Sequence, residues 1–248
     1  MEAFELTAVV HLVRPAGMAA RNLDEMRSSL ARAPERALFC HTVQSLLRAP
    51  DDDDPPADDL SAWVNGVVQD SETAERIAYA VQSQGAGPEP LRRALLEVLD
   101  ALPEKTRIAR DAPEGGELVF LAADSVPVPT GWEAHRPEEL FELLAGAEAS
   151  VWFYHLIEQP WFGAGDRPLT RWLREAGAGR LADGIDETAA EALPLPALRR
   201  RVLGRWRRSE LGRRLARAVE QPEEERREAG RAAVAGLVRR LRQGGEEP

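Results

Sequence analysis

Shifted by 114 positions, the chain falls onto itself: Pro15 meets Pro129, Gly17 meets Gly131, Met26 meets Leu140, Leu30 meets Leu144, Phe39 meets Phe153 and His41 meets His155, without a gap. Past a shortening of the second copy at the Asp51 to Asp59 loop, Leu60, Ser61 and Trp63 meet Leu169, Thr170 and Trp172. Further gaps bring Ala74, Glu75 and Ile77 onto Ala182, Asp183 and Ile185, and Leu91, Arg92 and Arg93 onto Leu198, Arg199 and Arg200. Self-similarity at a fixed offset constrains a fold more than any local propensity, because each copy must solve the same packing problem. The expected organisation is a repeat unit over 1–102, a linker over 103–116, a second unit over 117–210, and a C-terminal helical extension with a frayed tail over 211–248.

Within each copy the order of elements follows from periodicity and turn chemistry. Phe4, Leu6, Ala8, Val10 and Leu12 alternate with their neighbours, and Leu118 to Val128 repeats the alternation less cleanly; both read as strands. Pro-x-Gly at Pro15 and Gly17, and at Pro129 and Gly131, predicts a turn after each strand. A helix then starts by two devices, Asn22 as an N-cap with Glu25 three residues on, and Pro137 in the first turn followed by Glu138 and Glu139. Leu38, Phe39, Val43, Leu46 and Leu47, and Trp152, Phe153, Ile157 and Trp161, have helical spacing; Pro160 must end or kink the second segment. Shorter helical patterns surround Trp63, Ile77 and Leu91 and their counterparts. Val234, Leu237, Val238 and Leu241 predict a final amphipathic helix over Pro222 to Gln243. The fold class is therefore α+β, predominantly helical, as two tandem homologous units each led by a strand.

Charge narrows the functions. The whole chain carries −10, yet Pro196 to Arg217 holds nine arginines against one acid, Glu210, so the rest is more acidic than the total. Such a body repels phosphate backbones. A single cysteine, Cys40, forms no internal disulfide, the acidic Met1 to Leu12 lacks the basic start of a signal peptide, and no apolar run approaches a membrane span. A cytoplasmic protein is expected, with no membrane partner.

A strand closing on Pro-x-Gly, a helix, a segment closing on Phe39-Cys40-His41 or Phe153-Tyr154-His155, a Trp helix and a Leu-Arg-Arg helix together resemble a duplicated bacterial family, domain-of-unknown-function family 5752. Its members usually carry a Tyr-His pair and an Asn-Asp-Phe before the tryptophan. Tyr154-His155 fits; Cys40-His41 and Asp58-Asp59-Leu60 depart. The resemblance implies the architecture and brings no activity.

His41 and His155 are the strongest candidate functional residues, as equivalent positions among only four histidines. Facing one cleft, with Glu158 a helical turn after His155, they would suit a divalent metal or acid-base chemistry. The competing expectation is a buried imidazole that hydrogen-bonds a neighbouring element. Gln44 takes the place of Glu158 in the first copy, and His11 pairs with Ser125, so no third histidine is matched. Cys40 reads as a small buried hydrophobe, since neighbours on a helix point about 100° apart. The Asp51 to Asp54 run lacks the ligand pattern of an EF-hand. No Gly-x-Ser-x-Gly, Walker A, Gly-x-Gly-x-x-Gly, paired Cys-x-x-Cys or His-Glu-x-x-His occurs.

The resulting expectation is a non-catalytic binding or regulatory module with a groove between the repeats for a partner protein or small polar ligand, and no cofactor or metal. The ligand-binding candidates are His41, His155, Tyr154, Glu158 and His11. An enzyme or metal protein using His41, His155 and Glu158 is the alternative. A weaker alternative is nucleic-acid binding through the arginine-rich helix at 199–214, with Arg199, Arg200, Arg205 and Trp206; an amphipathic helix whose arginines pair with the acidic body competes with it.

Overall fold

The computed structural model describes residues 2–44, 58–83, 87–191 and 193–220, with the backbone alone over 210–220. The Asp51 to Asp54 run, Leu46, Leu47 and the Pro222 to Gln243 segment lie outside the described residues. The chain clusters into one compact unit, Met1–Leu203, and a second from Gly204 onward. The first unit holds the sheet and all four histidines.

Two long strands, β1 (Phe4–Ala20) and β2 (Leu118–Ala134), pair antiparallel as a two-stranded sheet. Helices α1 (Leu23–Arg32), α2 (Glu35–Thr42), α3 (Asp59–Trp63), α4 (Ser71–Ser83), α5 (Pro88–Asp100) and the short α6 (Glu104–Arg107) lie between the strands in sequence. After β2 come α7 (Pro137–Gly146), α8 (Ala149–Phe153), α9 (Gln159–Phe162), α10 (Pro168–Glu175), α11 (Gly179–Ala190) and α12 (Leu195–Glu220). One π-helical turn, Val64–Val68, continues α3, and another, Tyr154–Glu158, joins α8 to α9. The protein is α+β and mostly helical.

The Pro-x-Gly dipeptides do not end the strands. Gly17 and Gly131 take φ of 74° and 75°, and the ladder shifts register between Pro15 and Ala19 and between Leu6 and Thr7. A glycine in the left-handed region absorbs extra residues as a bulge, so the strand bends and continues instead of turning back. β1 ends at Ala20, and Asn22 then caps α1 by accepting from Glu25 N at 2.9 Å. Glu25 reaches back to the Arg21 N–H instead of that of Asn22.

Burial follows position along the ribbon. Leu6, Val9, Phe120 and Ala123 are buried, where α2 packs on β2 and α8 packs on β1. Nearer mid-strand Val10, Leu12, Val126 and Val128 stay exposed, with Val10 directly across from Val126. Helices from residues 1–102 thus cover the strand of residues 117–210, and the reverse.

The segment expected as a linker is exposed but anchored. Arg107 Nε donates to Asp24 at 2.8 Å, Ala112 N donates to Arg21 O at 2.6 Å, and Asn22 Nδ2 donates to Asp111 at 2.7 Å.

Candidate functional site

Exchange between the halves sets where the histidines point. His41, on α2, is buried, and its Nε2 accepts the Leu121 N–H of β2 at 2.8 Å. His155, in the second π-turn, is buried, and its Nε2 accepts the Thr7 N–H of β1 at 3.0 Å. Thr7 and Leu121 sit at the inner ends of the two bulged regions, where the ladder shift leaves a backbone N–H to be satisfied. Because Leu121 faces Pro15, the two imidazoles are separated by about 26 Å of strand at about 3.3 Å per residue. They do not share a cleft.

Their second nitrogens differ. His41 Nδ1 lies 3.0 Å from Asp59 Oδ2, so both ring nitrogens are engaged. His155 Nδ1 is buried with no hydrogen-bond partner. Burial pushes the His155 pKa down to about 4, and the Gln159 side chain, one turn on, opposes this without reversing it. Tyr154 packs edge-on to the His155 ring at 5.1 Å. Burial and the Glu158 carboxylate raise its phenol above the usual value.

Glu158 is not a partner of either candidate histidine. Its Oε2 lies 2.7 Å from His11 Nε2, with both side chains buried. His11 sits mid-strand opposite Ser125, and its ring packs against Phe39 and Phe153, themselves 5.8 Å apart. Ser125 instead accepts from Arg36 at 2.8 Å. Removal of one member of a buried pair such as His11 and Glu158 costs far more than the pair contributes, which makes it a fixing element. Among the described residues, no three His, Cys, Asp or Glu come together to hold a metal.

One cavity, of about 100 Å³, is lined from both halves of the sequence. Val43, Val81 and Gln82 line it from the first half, and Leu156, Trp161 and Arg167 are among those that line it from the second. Trp161 Nε1 and Arg167 Nε are buried without hydrogen-bond partners.

A family model described as a family of unknown function, DUF5752, matches residues 1–206. The chain belongs to the DUF5752 family. Its fold is similar to the solved structure of OrfY from Thermoproteus tenax, with a TM-score of 0.68 at 22% identity, over 82% of this chain and 93% of that one. No curated protein matches.

In this DUF5752 chain one arginine candidate, Arg199, is drawn toward the protein itself. Arg199 donates to Ala145 O at 2.7 Å and stacks over the Trp152 ring. Arg201 pairs with Glu191, and Arg200, Arg205 and Trp206 each have interactions of their own. Among the described residues no helix is long and apolar enough to cross a membrane.

Trp161 and Arg167 were not among the sequence candidates. The one signal was that Trp161 stands 114 positions after Leu47, an aromatic with a polar handle against an aliphatic side chain.

Proposed function

We propose that this DUF5752 chain is a cytoplasmic, non-catalytic binding or regulatory module built of two tandem homologous units, with its ligand groove between them. The observation that carries this reading is the cavity walled by residues from both halves, with Val43 and Val81 on one side and Leu156 and Trp161 on the other. The duplication is supported by paired hydrogen bonds between residues that the self-alignment makes equivalent. The acceptor histidines His41 and His155 serve Leu121 N and Thr7 N, and the indoles of Trp63 and Trp172 serve Gly116 O and Glu2 O. A non-catalytic role is favoured because the groups that would do chemistry are spent on architecture: His41 on Leu121 and Asp59, His155 on Thr7, and Glu158 on His11. The cytoplasmic placement rests on the single cysteine.

The test is thermal melting of the wild type and of Val81→Phe, which fills the cavity from its rim, against a panel of small metabolites. A ligand that binds only the folded state raises the melting temperature by mass action. We expect stabilisation of the wild type that Val81→Phe abolishes. Stabilisation equal in both proteins would place the ligand elsewhere, and turnover of a panel compound would overturn the non-catalytic reading.

A further inference from the structure

We infer that the exposed middle of β1, Val10 to Arg14, pairs edge to edge with the same stretch of a second copy of this chain, Leu12 against Leu12, to make a four-stranded sheet. The direction of the main-chain groups sets this up. Leu121 and Thr7 give their N–H groups to His41 and His155, away from the opposite strand. Both lie in one uninterrupted stretch of ladder, from Thr7 opposite Pro129 to Pro15 opposite Leu121. Outward-facing and inward-facing pairs alternate along an antiparallel ladder, so His11 and Val13 also turn their N–H and C=O groups outward. Pro129 and Pro127, opposite Thr7 and Val9, agree with this, having no N–H to give the ladder.

The stretch is open to solvent. Val10, Leu12 and Val13 are 52%, 60% and 51% exposed, and Arg14 is exposed. His11 is partly exposed although its side chain is only 7% exposed, so part of what it shows is main chain. With the twofold axis at Leu12, His11 of each copy exchanges main-chain bonds with Val13 of the other, and Val10 lies opposite Arg14. The next pair would set buried Val9 against Pro15, which has no N–H, so pairing stops there at both ends and the register is fixed. A stretch limited in the same way at each end is its own complement, which makes a second copy the fitting occupant.

The equivalent edge of β2 is closed. Pro127 and Pro129 stand 114 positions after Val13 and Pro15, and prolines on an edge block strand addition. Arg36 also lies against β2 there, donating to Ser125 at 2.8 Å, whereas the residue 114 positions after Arg36 is Ser150, a side chain without that reach. With β2 closed, association ends at two copies and builds no fibre. Size sets its strength. Pairing of Val10 to Arg14 covers well under the about 800 Å² per partner that a stable interface buries, so the dimer is weak and forms at high protein concentration.

Sedimentation equilibrium of the full chain from about 10 μM to about 1 mM, the range of a weak complex, tests this. We expect a monomer–dimer equilibrium in the wild type. Leu12→Lys sets two like charges against each other, and Val13→Pro copies Pro127 and removes an outward N–H; each should weaken the dimer about tenfold or more. Leu12→Lys, changing an exposed side chain, should melt as the wild type does. Oxidation reads the register: Leu12→Cys should cross-link two copies and Val10→Cys should not, because only Leu12 faces its own counterpart. Cys40 is buried and does not compete. A monomer throughout would leave the edge to a strand from another protein and overturn the proposal. So would a dimer that both Leu12→Lys and Val13→Pro leave intact, or cross-linking no faster in Leu12→Cys than in Val10→Cys.

Discussion

His41 and His155 make the same bond and live in different surroundings. Each imidazole accepts at Nε2 from a strand N–H of the opposite half, that of Leu121 or of Thr7. His41 finds a second partner in Asp59, whose side chain is 43% exposed, whereas His155 leaves Nδ1 buried and unpaired. The bond to the bulged strand is what the fold requires of that position. What lies behind the ring is free to differ, and it decides how each histidine responds to acid.

The largest expected effect is therefore a pH dependence that belongs to His155. Its pKa falls from 6.5 to about 4 on folding, so between those values the unfolded chain holds the proton that the folded chain refuses. The stability from this group is fully present above pH 6.5 and is lost as pH falls toward 4, by on the order of 3 kcal/mol. His155→Gln keeps an acceptor oxygen near the place of Nε2 and removes the titration. Unfolding free energies from denaturant melts, measured between pH 7 and 4, should fall less steeply in the variant. Parallel profiles for the two proteins would show that His155 does not carry the acid sensitivity.

Alanine at either histidine strips the acceptor from a strand N–H and should cost about 1–3 kcal/mol. His41→Ala also removes the bond to Asp59, so it should cost about 1 kcal/mol more than His155→Ala, whose ring already carries one unmade bond. His41→Gln should recover part of the loss by restoring an acceptor to Leu121 N. Chemical denaturation of the four single variants checks the order. Equal losses for alanine and glutamine at both positions would mean that packing, and not the backbone bond, fixes the rings.

The bulges give a symmetric control for this comparison. Gly17 and Gly131 share φ near 75°, and a Cβ at either position would meet nothing within 4 Å. Alanine at each should therefore cost only backbone strain, about 1 kcal/mol, and nearly the same at both sites. A large difference in their melting behaviour would show that the two ends of the sheet do not bear equivalent loads.

Sequence reasoning reached the strand starts and the helix starts, because alternation and capping chemistry are local. It stopped the strands at Pro15 and Pro129 because the same dipeptide that makes a turn also makes a bulge, and only the partner strand decides between them. It set Glu158 beside His155 by helical spacing, while the π-turn Tyr154–Glu158 and the crossing of β1 gave it to His11 instead. The cavity lining was illegible for the same reason. Trp161 and Arg167 acquire meaning only when Val43 and Val81 close the space opposite them, which is a long-range consequence of each half's helices covering the other's strand.

The smallest expected effect tests the one place where the halves solve the same local problem with unequal means. Asn22 caps α1 by accepting from Glu25 N, and the equivalent residue at the start of α7, Arg136, is extended at φ −140° with no side-chain cap. Pro137 lessens the need by removing one orphan N–H from the first turn, but the N–H three residues past the cap gains nothing from it. Asn22→Ala should lose about 1 kcal/mol, for the cap and for the bond from Asn22 Nδ2 to Asp111 that ties down the connector. Arg136→Asn should move the other way, raising the melting temperature, because the lost contact with Glu139 is solvent-exposed and its loss is small beside a new cap. Glu139 still accepts the His135 N–H at 2.9 Å, so the reach-back half of the motif is already in place for the new asparagine to complete. A melting temperature unchanged or lowered in Arg136→Asn would mean that the helix start in the second half is shaped by its packing, and that the two halves are alike in backbone path but not in what holds it.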